Sequence, residues 1–460
     1  MNCDIRLDGR YHLAPETKVL ENNGAERVLV NLNNREWIKV SPEAFSLIEN
    51  RSNNPFREIV EMGAREYHAR PSEIFSLFEY LVASELVEDV SRKAPGKIYF
   101  NVTNRCNLAC RTCYFGTTSC ALPSGDPMTT TDALNVLESI SPHKPDSLVI
   151  SGGEPFVRGD ALEIIEAAMR AARRVTVLTN ATLINREVAG ALAALGAKVQ
   201  VSIEGPGAEI HDAIRGKGSF ELAVKGIQLL LECGVSDIEL VPTLTRQNIG
   251  HACDVIKFAK DLGVGYHFSL FMPVGKGQCN RLELELSPEE LCHWFYEMLK
   301  RECSGVGGGG ARFCSCDEGA PSVPFVLDPR ESCGAGDKEV SIAPDGEVYP
   351  CPLLHYPELS IGNILREGFD EICLKMDSIT ISVDEKEPCS GCNVRYFCGG
   401  GCAAYSYAKR RDFKLPDPYC EFYKRVFEAL VWDWVEGRNH TENWGRVLER
   451  IAVSSPHVKH

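Results

Sequence analysis

The first 95 residues combine short alternating patterns with helical ones. Hydrophobic and polar positions alternate in two stretches, as they do in strands, and Asn33-Asn34 between the two stretches signals a turn. Ser41-Pro42 then marks a helix start, because serine caps helices and proline fits the first turn. The predicted elements are strands over 26–32 and 37–40, followed by helices from 42, near 56–66 and near 72–86. This order predicts a small winged-helix-like module over residues 1–95.

Beyond residue 96, strand and helix patterns alternate along the chain. The predicted strands are 97–103, 147–150, 174–178, 198–203, 238–244 and 266–271. Helical patterns lie near 129–140, 161–172, 186–195, 219–233, 249–262 and 287–301. Consecutive strand–helix units imply an α/β fold whose parallel sheet curls into a partial (β/α)6 barrel similar to a TIM barrel. In such barrels, functional side chains gather at the C-terminal ends of the strands.

The last third of the chain has a different character. Residues 305–310 are nearly all glycine and predict a flexible joint. A cysteine-rich, loop-rich segment follows to about 425, and an amphipathic pattern over 427–451 predicts one C-terminal helix. The predicted organisation is a module over 1–95, a barrel core over 96–310, a cysteine-rich segment over 311–425 and a helix over 426–460.

Composition and charge exclude several classes of protein. The chain has 460 residues, of which 44% are hydrophobic and 25% charged, as in globular proteins of more than one domain. The net charge of −15 argues against binding to nucleic acid or to an anionic membrane, since both require a basic surface. No apolar run is long enough to span a bilayer, and the N-terminus lacks a secretory pattern. We therefore expect a cytoplasmic protein.

The chain contains 20 cysteines, which in the reducing cytosol indicate metal ligation rather than disulfides. Cys106, Cys110 and Cys113 follow the first barrel strand. Three thiolates at this spacing can bind three irons of a 4Fe–4S cluster and leave the fourth iron open. A structural zinc site requires four ligands in a closed shell. Zinc is nevertheless the alternative here, because C-x-x-C spacing also occurs in zinc proteins.

C-x-x-x-C-x-x-C after a first barrel strand resembles the motif of the radical S-adenosylmethionine (SAM) superfamily. The resemblance implies that the open iron binds the amino and carboxylate groups of SAM. Reductive cleavage of SAM would then give a 5′-deoxyadenosyl radical that abstracts hydrogen from a substrate. The residue before the third cysteine is usually aromatic in the family, whereas here it is Thr112, with Tyr114 just after the cysteine.

A second element, Ser151-Gly152-Gly153-Glu154-Pro155, follows the second barrel strand. Glycines allow a backbone to approach a ligand closely, and a carboxylate can accept hydrogen bonds from an ammonium group. In this position the element resembles the family segment that holds the amino group of SAM. The alternative is a simple turn.

Polar residues also end the next two strands. Ser202 and Glu204 can hydrogen-bond a ribose, and Arg215 can pair with a carboxylate. The resemblance assigns Ser202 to the ribose of SAM and Arg215 to its carboxylate, and Asn180 is predicted to reach the same pocket. The alternative for each is an ordinary loop hydrogen bond. His211 is not predicted to be a ligand.

The later cysteines resemble the seven-cysteine SPASM extension of peptide-modifying radical SAM proteins, including Gly346 five positions before Cys351. The resemblance implies one auxiliary cluster on Cys389, Cys392, Cys398 and Cys420, and another on Cys333, Cys351 and Cys402. Cys314 or Cys316 could complete the second set. With the SAM site this makes three 4Fe–4S clusters. The other cysteines are interpreted as core or surface thiols: Cys120, Cys233, Cys253, Cys279, Cys292, Cys303 and Cys373.

Residues 1–95 resemble the PqqD-like recognition element of ribosomal-peptide maturases, which binds a leader peptide by adding it as a strand. A purely structural cap is the alternative. The resemblance implies a radical SAM enzyme that modifies a ribosomally made precursor peptide, forming a thioether or carbon–carbon cross-link, with an electron donor of the flavodoxin or ferredoxin type. Two alternatives stay open, namely a maturase of a folded protein, as in anaerobic sulfatase maturation, and a non-catalytic iron–sulfur scaffold or redox sensor.

Overall fold

The computed structural model describes most of the chain in two compact units, 1–94 and 95–460. The residues described are 5, 7, 9–14, 17–22, 26–31, 36–49, 54–89, 94–115, 127–304, 330–376, 381–433 and 440–453.

The first unit has five strands and three helices among its described residues. In chain order these are β1 (Tyr11–Leu13), β2 (Thr17–Asn22), β3 (Glu26–Asn31), β4 (Trp37–Val40), α1 (Pro42–Glu49), α2 (Phe56–Glu66), α3 (Pro71–Ala83) and β5 (Val87–Asp89). Strands β2, β3 and β4 form an antiparallel sheet in that order, and β1 pairs with β5. The sequence patterns predicted β3, β4 and the helices, and they missed β1, β2 and β5.

The third helix is shorter than the predicted 72–86, because the chain turns back to form β5. Glu85 adopts a left-handed conformation with φ of 53°, and the Leu86 carbonyl accepts hydrogen bonds from the Ala14 amide and the Thr17 hydroxyl. Tyr11, Phe56 and Phe78 are fully buried and meet edge-on or tilted at centroid distances of 4.8–5.7 Å. This aromatic cluster forms the core of the unit.

The second unit is built on a large sheet. Its strands are β6 (Lys97–Asn101), β7 (Ser147–Ser151), β8 (Val175–Thr179), β9 (Lys198–Val201), β10 (Ile238–Leu240), β11 (Thr243–Leu244), β12 (Gly265–Tyr266), β13 (Ser269–Leu270), β14 (Glu339–Ile342), β15 (Glu347–Tyr349) and β16 (Gly362–Asn363). Its helices are α4 (Thr130–Ile140), α5 (Ala161–Ala171), α6 (Arg186–Leu195), α7 (Ala208–Arg215), α8 (Ser219–Glu232), α9 (Ala252–Leu262), α10 (Arg281–Leu284), α11 (Pro288–Ser304), α12 (Ile364–Glu367), α13 (Phe369–Lys375), α14 (Arg395–Cys398), α15 (Ala403–Arg410), α16 (Cys420–Trp432) and α17 (His440–Val453).

The sheet order is β12-β10-β9-β8-β7-β6-β14-β15-β16. The strands from β6 to β12 in this sheet are parallel, as the barrel prediction requires, and β14 joins β6 in parallel. Strands β15 and β16 add antiparallel. The cysteine-rich segment therefore extends the barrel sheet at its first strand.

The predicted strands 238–244 and 266–271 are each divided in two. Strands β11 and β13 form a separate parallel pair beyond β10 and β12. Pro242 lies at the first division, and proline has no N–H to donate to a sheet. The fifth and sixth predicted strands are therefore each interrupted before their C-terminal ends.

The prediction of one C-terminal helix over 426–460 is wrong. The structure has two helices, α16 and α17, and α16 begins at Cys420. Both pack against each other and against α11, an arrangement that one continuous helix cannot provide. Helix α7, which carries Arg215 and spans eight residues, was also missed. In the described part of the chain, no helix is long and apolar enough to cross a membrane.

Candidate active site

A cavity of about 810 Å³ lies at the C-terminal ends of the barrel strands. Its wall includes Cys106, Cys110 and Cys113, together with Cys351 and Cys402 from the extension. Enzyme sites in such barrels occupy this end, and the volume is within the range typical of ligand and cofactor sites. The cavity is therefore the candidate active site.

The cysteine loop, defined here as residues 102–113, directly follows β6. Burial raises the pKa of the Cys106 thiol to about 11. The guanidinium Nη1 of Arg215 lies 3.9 Å from the sulfur of Cys110. Among the described residues, no three Cys, His, Asp or Glu side chains converge on a position for a single metal ion. A 4Fe–4S cluster spreads its cysteine ligands over different irons, so its sulfurs lie farther apart than those around one ion.

Gly152 and Gly153 allow the loop after β7 to lie directly against the cysteine loop. The Gly153 amide donates to the Thr103 carbonyl at 2.8 Å, and the Glu154 amide donates to the Arg105 carbonyl at 2.9 Å. A Cβ atom at Gly153 would overlap the Arg105 carbonyl, and Gly152 has a φ of 140°. The sequence suggested that these glycines let the backbone approach a ligand. In the structure, they line the cavity and also let the backbone approach the loop that carries the cysteines, so the contact with a ligand stays a prediction.

Glu154 is fully buried and lines the cavity. Its Oε1 accepts from the Thr179 hydroxyl at 2.8 Å, and its Oε2 accepts from the Asn180 amide at 2.7 Å. Burial raises the pKa of Glu154 to about 7, although these hydrogen bonds and the charge of Arg215 oppose the rise. An ammonium group in the cavity would stabilise the ionised form.

Asn180 lines the cavity but is also tied to the cysteine loop. Its Nδ2 donates to Oδ1 of Asn107 at 2.9 Å and lies 4.0 Å from the sulfur of Cys106. Asn107 in turn donates to the hydroxyl of Thr182 at 2.8 Å, and that hydroxyl donates to Oδ1 of Asn180. This closed set of hydrogen bonds holds the loop around Cys106.

Arg215 and Glu204 form a buried ion pair. Nη2 of Arg215 lies 2.6 Å from Oε1 of Glu204, and Nε donates to the same oxygen at 2.8 Å. Burial acts to lower the pKa of Arg215, but the Glu204 carboxylate raises it and the net shift is upward. Oε2 of Glu204 also accepts from the Thr243 amide at 2.8 Å.

Glu204 lies behind Arg215 rather than in the cavity wall, which includes Arg215 and Ser202. Its carboxylate is held by Arg215, Thr243 and Asn248, so it positions the arginine. No sequence motif pointed to Thr243 or Asn248. Buried His211 accepts from the Glu204 amide at 3.2 Å, and burial lowers its pKa to about 3, which fits a structural role.

The structure brings Cys333, Cys351 and Cys402 together. Burial raises the pKa of Cys351 well above its usual value, and the nearby Cys402 and Cys333 raise it further. Burial likewise raises the pKa of Cys402, where Cys333 also contributes. All three line the same cavity as the cysteine loop.

The other four extension cysteines form a second group. Burial raises the pKa of Cys398 to about 12, and Cys420 adds to the rise. Burial also raises the pKa of Cys420 to about 11, with contributions from Cys389 and Cys392. The assignment of these two groups to two clusters stays a prediction.

Asp417 connects the two groups of extension cysteines. Its Oδ2 accepts from the Cys402 amide at 2.5 Å, and its backbone carbonyl accepts from the Cys420 amide at 2.9 Å. Gly399, Gly400 and Gly401 between Cys398 and Cys402 all have left-handed φ angles, 65°, 79° and 69°. The sequence analysis missed Asp417, although it stands three residues before Cys420.

Other cysteines are placed away from these groups or lie outside the described residues. Cys292 and Cys373 are buried, Cys233 and Cys253 are half-buried, and Cys279 is exposed. Cys120, Cys314 and Cys316 lie outside the described residues, and the side chain of Cys303 does too. A fourth ligand for the Cys333 group stays a prediction.

The residues present fit iron–sulfur clusters and SAM. Burial raises the pKa of Cys106, Cys351 and Cys398, so these thiols would remain protonated without a bound metal. Metal binding deprotonates coordinating thiols, since the thiolate is the ligand. A fully buried carboxylate, an arginine and the half-buried Ser202 are available at the same cavity for a zwitterionic ligand.

Comparison with known proteins agrees with this geometry. The family model of the radical SAM superfamily matches residues 100–259, and the model of the SPASM iron–sulfur cluster-binding domain matches 333–393. An AdoMet-dependent heme synthase of Methanosarcina barkeri is 32% identical over 71% of this chain and 96% of that protein. The chain belongs to the radical SAM superfamily. Mycofactocin maturase MftC of Mycolicibacterium smegmatis is 30% identical, over 73% of this chain and 85% of that protein.

Solved radical SAM structures share the fold. Streptococcus suis SuiB bound to precursor peptide SuiA has a TM-score of 0.59 at 15% identity, covering 89% of this chain and 100% of that one. The structure of anSMEcpe with bound AdoMet has a TM-score of 0.58 at 19% identity, covering 79% of this chain and 100% of that one. The predicted partial radical SAM barrel with a SPASM extension is thus confirmed.

This radical SAM protein is accordingly an enzyme that binds SAM and a 4Fe–4S cluster, with auxiliary iron–sulfur clusters in its SPASM domain. The zinc and non-catalytic alternatives are set aside. The individual ligands stay predictions.

Proposed function

We propose that this radical SAM enzyme modifies a ribosomally made precursor peptide whose leader is bound by residues 1–94. The observation that carries the proposal is the separate compact N-terminal unit, added to the radical SAM and SPASM parts. The match to heme synthase spans nearly all of that protein but leaves more than a quarter of this chain unmatched. The fold likeness to SuiB with its precursor peptide extends over 89% of the chain.

Each cavity residue has a proposed role in this function. Cys106, Cys110 and Cys113 hold the cluster that, when bound, supplies the electron for SAM cleavage. Glu154 accepts hydrogen bonds from the amino group of SAM. The hydrogen bonds from Thr179 and Asn180 orient the Glu154 carboxylate. Arg215 pairs with the SAM carboxylate while Glu204 fixes its guanidinium. Ser202 lines the cavity, its hydroxyl has no hydrogen-bond partner among the described residues, and we assign it to the ribose.

The extension cysteines are proposed to hold two further clusters. Cys333, Cys351 and Cys402 line the cavity that the cysteine loop also lines, so a substrate there would contact both regions. Clusters at these positions would accept the electron released as a thioether or carbon–carbon cross-link forms. Cys389, Cys392, Cys398 and Cys420 would hold the second of the two.

The edge of β4 is the proposed leader site. No strand of the described part pairs with the outer side of β4. Trp37 on this strand is 61% exposed and Tyr80 on α3 is 41% exposed, and the Tyr80 hydroxyl donates to the Trp37 carbonyl at 3.5 Å. The other free edge, β2, carries only Leu20 as a large exposed apolar residue. A strand added beside β4 would gain backbone hydrogen bonds and an aromatic surface.

Deletion of residues 1–94 tests the proposal. The truncated enzyme should still form 5′-deoxyadenosine on reduction but should no longer modify the full precursor, because tethering gives roughly millimolar local substrate. The measurement is peptide mass after reaction, with the precursor sought as a short reading frame beside the gene. If a well-folded truncated enzyme modified the precursor at the normal rate, the N-terminal unit would be a structural cap.

Point variants localise the leader site. Trp37→Ala with Tyr80→Ala should weaken precursor binding while leaving SAM cleavage intact. Trp432→Ala is the matched control, because this tryptophan is 56% exposed but lies in the other unit. Equal precursor affinity in the double variant and the control would show that the leader does not bind at β4.

A second candidate function is modification of a tetrapyrrole, favoured by the 32% identity to an AdoMet-dependent heme synthase. In that case deletion of residues 1–94 would not change turnover of an iron tetrapyrrole, and no precursor peptide would change mass. The deletion experiment therefore separates the two functions.

A further inference from the structure

The turn Gly275–Asn280, which follows β13, holds the second half of the cysteine loop. The Gly277 amide donates to the Cys113 carbonyl at 2.8 Å, and Nδ2 of Asn280 donates to the Arg111 carbonyl at 2.9 Å. A Cβ atom at Gly277 would press on the Phe271 ring at 2.9 Å, so glycine allows this close approach. The turn is thereby fixed against the backbone of a proposed cluster ligand.

Lys276 stands inside this turn and lines the cavity together with Cys113. It is half-buried, and among the residues that the structure describes it has no ion-pair or hydrogen-bond partner. Although burial raises the pKa of Cys113 overall, the Lys276 ammonium acts in the opposite direction. Lys276 is therefore an unpaired positive charge close to this sulfur.

Arg215 is the other cation beside the cysteine loop, and its situation differs. It lies near Cys110, but its charge is balanced by Glu204 at 2.6 Å. Burial raises the pKa of Cys106, and the charges of Cys110 and Glu154 add to the rise. Of these two cations beside the loop, Lys276 is the one that has no counter-charge among the described residues.

We propose that Lys276 raises the reduction potential of the SAM-site cluster by placing an unpaired ammonium beside Cys113. The potential of an iron–sulfur cluster depends on net charge, on hydrogen bonds to its sulfurs and on solvent exposure. Reduction transfers one electron from a low-potential one-electron donor, with no bond made or broken and no proton taken up by Lys276. The cluster and its thiolates gain one negative charge, and a fixed cation stabilises that product more than the oxidised form. Lys276 is thus a tuning residue that acts through the cluster.

The test is an EPR-monitored redox titration of full-length reconstituted enzyme. The signal that changes when SAM is added at the end identifies the SAM-site cluster among the others. Lys276→Met removes the charge at similar length, and Lys276→Arg keeps it. Lys257→Met removes an exposed charge on α9 outside the site, and Asn280→Ala disturbs the same turn without changing charge. Iron content and circular dichroism establish that each variant is folded and loaded.

The expected result is a more negative midpoint potential in Lys276→Met, with Lys276→Arg and Lys257→Met close to wild type. If Lys276→Met loses its iron, Lys276→Gln serves as the neutral variant in the same titration. An unchanged potential in a loaded neutral variant would overturn the proposal. An equal negative shift in Asn280→Ala would overturn it too, because displacement of the loop would then explain the change. The proposal does not depend on the identity of the substrate.

Discussion

The cysteine loop and the SPASM extension differ in how they bring their cysteines together. Cys106, Cys110 and Cys113 lie within eight residues, and their spacing alone places them in one loop. The seven cysteines of the extension are spread over 333–420, and the two groups predicted for them are interleaved along the chain, since Cys402 lies between Cys398 and Cys420. The local sequence is therefore enough to bring the first set of cysteines together, whereas the second set depends on the tertiary structure.

The two regions also use glycine and carboxylate residues differently. Gly152 and Gly153 bring a neighbouring strand end against a preformed loop. Gly399, Gly400 and Gly401 instead bend the chain itself, so that Cys398 and Cys402 reach different groups. Glu204 fixes an arginine of the SAM site, and Asp417 fixes the backbone at Cys402 and Cys420. Damage in one region should therefore spare the function of the other.

The largest effect is expected from changing Cys106, Cys110 and Cys113 together to alanine. With three clusters in the wild type, the variant should lose about a third of its iron and all SAM cleavage. Iron content and 5′-deoxyadenosine formation under reducing, anaerobic conditions measure both. Residual cleavage at the wild-type rate would contradict the assignment of this loop.

Gly153→Ala should remove most SAM cleavage, because the new Cβ would overlap the Arg105 carbonyl and displace the cysteine loop. Gly190→Ala is the matched control, since its Cβ would meet no atom within 4 Å and it lies in helix α6. The stability of the control variant should be unchanged or higher by roughly 0.5–1 kcal/mol, which is the usual gain when alanine replaces glycine in a helix. Equal SAM cleavage by both variants would show that the contact is not needed.

Arg215→Ala should weaken SAM binding without removing iron. It should also destabilise the fold by about 3–5 kcal/mol, because Glu204 would remain buried without its partner. Equilibrium binding of SAM and chemical denaturation provide the two measurements. Arg186→Ala is the control, since its pair with Glu232 is largely exposed and contributes little. If Arg215→Ala bound SAM with wild-type affinity, the SAM carboxylate would not pair with Arg215.

Gly401→Ala should leave SAM cleavage nearly unchanged and lower the auxiliary iron content. Its φ of 69° costs an alanine roughly 1–2 kcal/mol, and the new Cβ would press on the Asp417 side chain. Gly391→Ala is the control, because its Cβ would meet no atom within 4 Å and its φ is not left-handed. Loss of SAM cleavage in Gly401→Ala would mean that the two regions are not independent.

Several features followed from short-range patterns in the chain. The alternation of strands and helices predicted the parallel sheet from β6 to β12, because each element needs only its own periodicity to be recognised. The spacing of Cys106, Cys110 and Cys113 and the Gly152-Gly153-Glu154 element predicted the site at the strand ends. Missed elements were short or depended on neighbours, as with the three-residue strands β1 and β5 and the eight-residue helix α7.

By itself, the sequence determined the order of the barrel elements, the cysteine loop and the family, since these depend on residues close together in the chain. Tertiary structure decided that Glu204 serves Arg215 and that Asp417 links two cysteine groups. It also decided that Lys276 lines the cavity with no counter-charge in the part of the chain that the structure describes. The physical reason is that charge pairing and burial depend on contacts between segments that lie apart in the chain, such as Glu204 with Thr243 and Asp417 with Cys402.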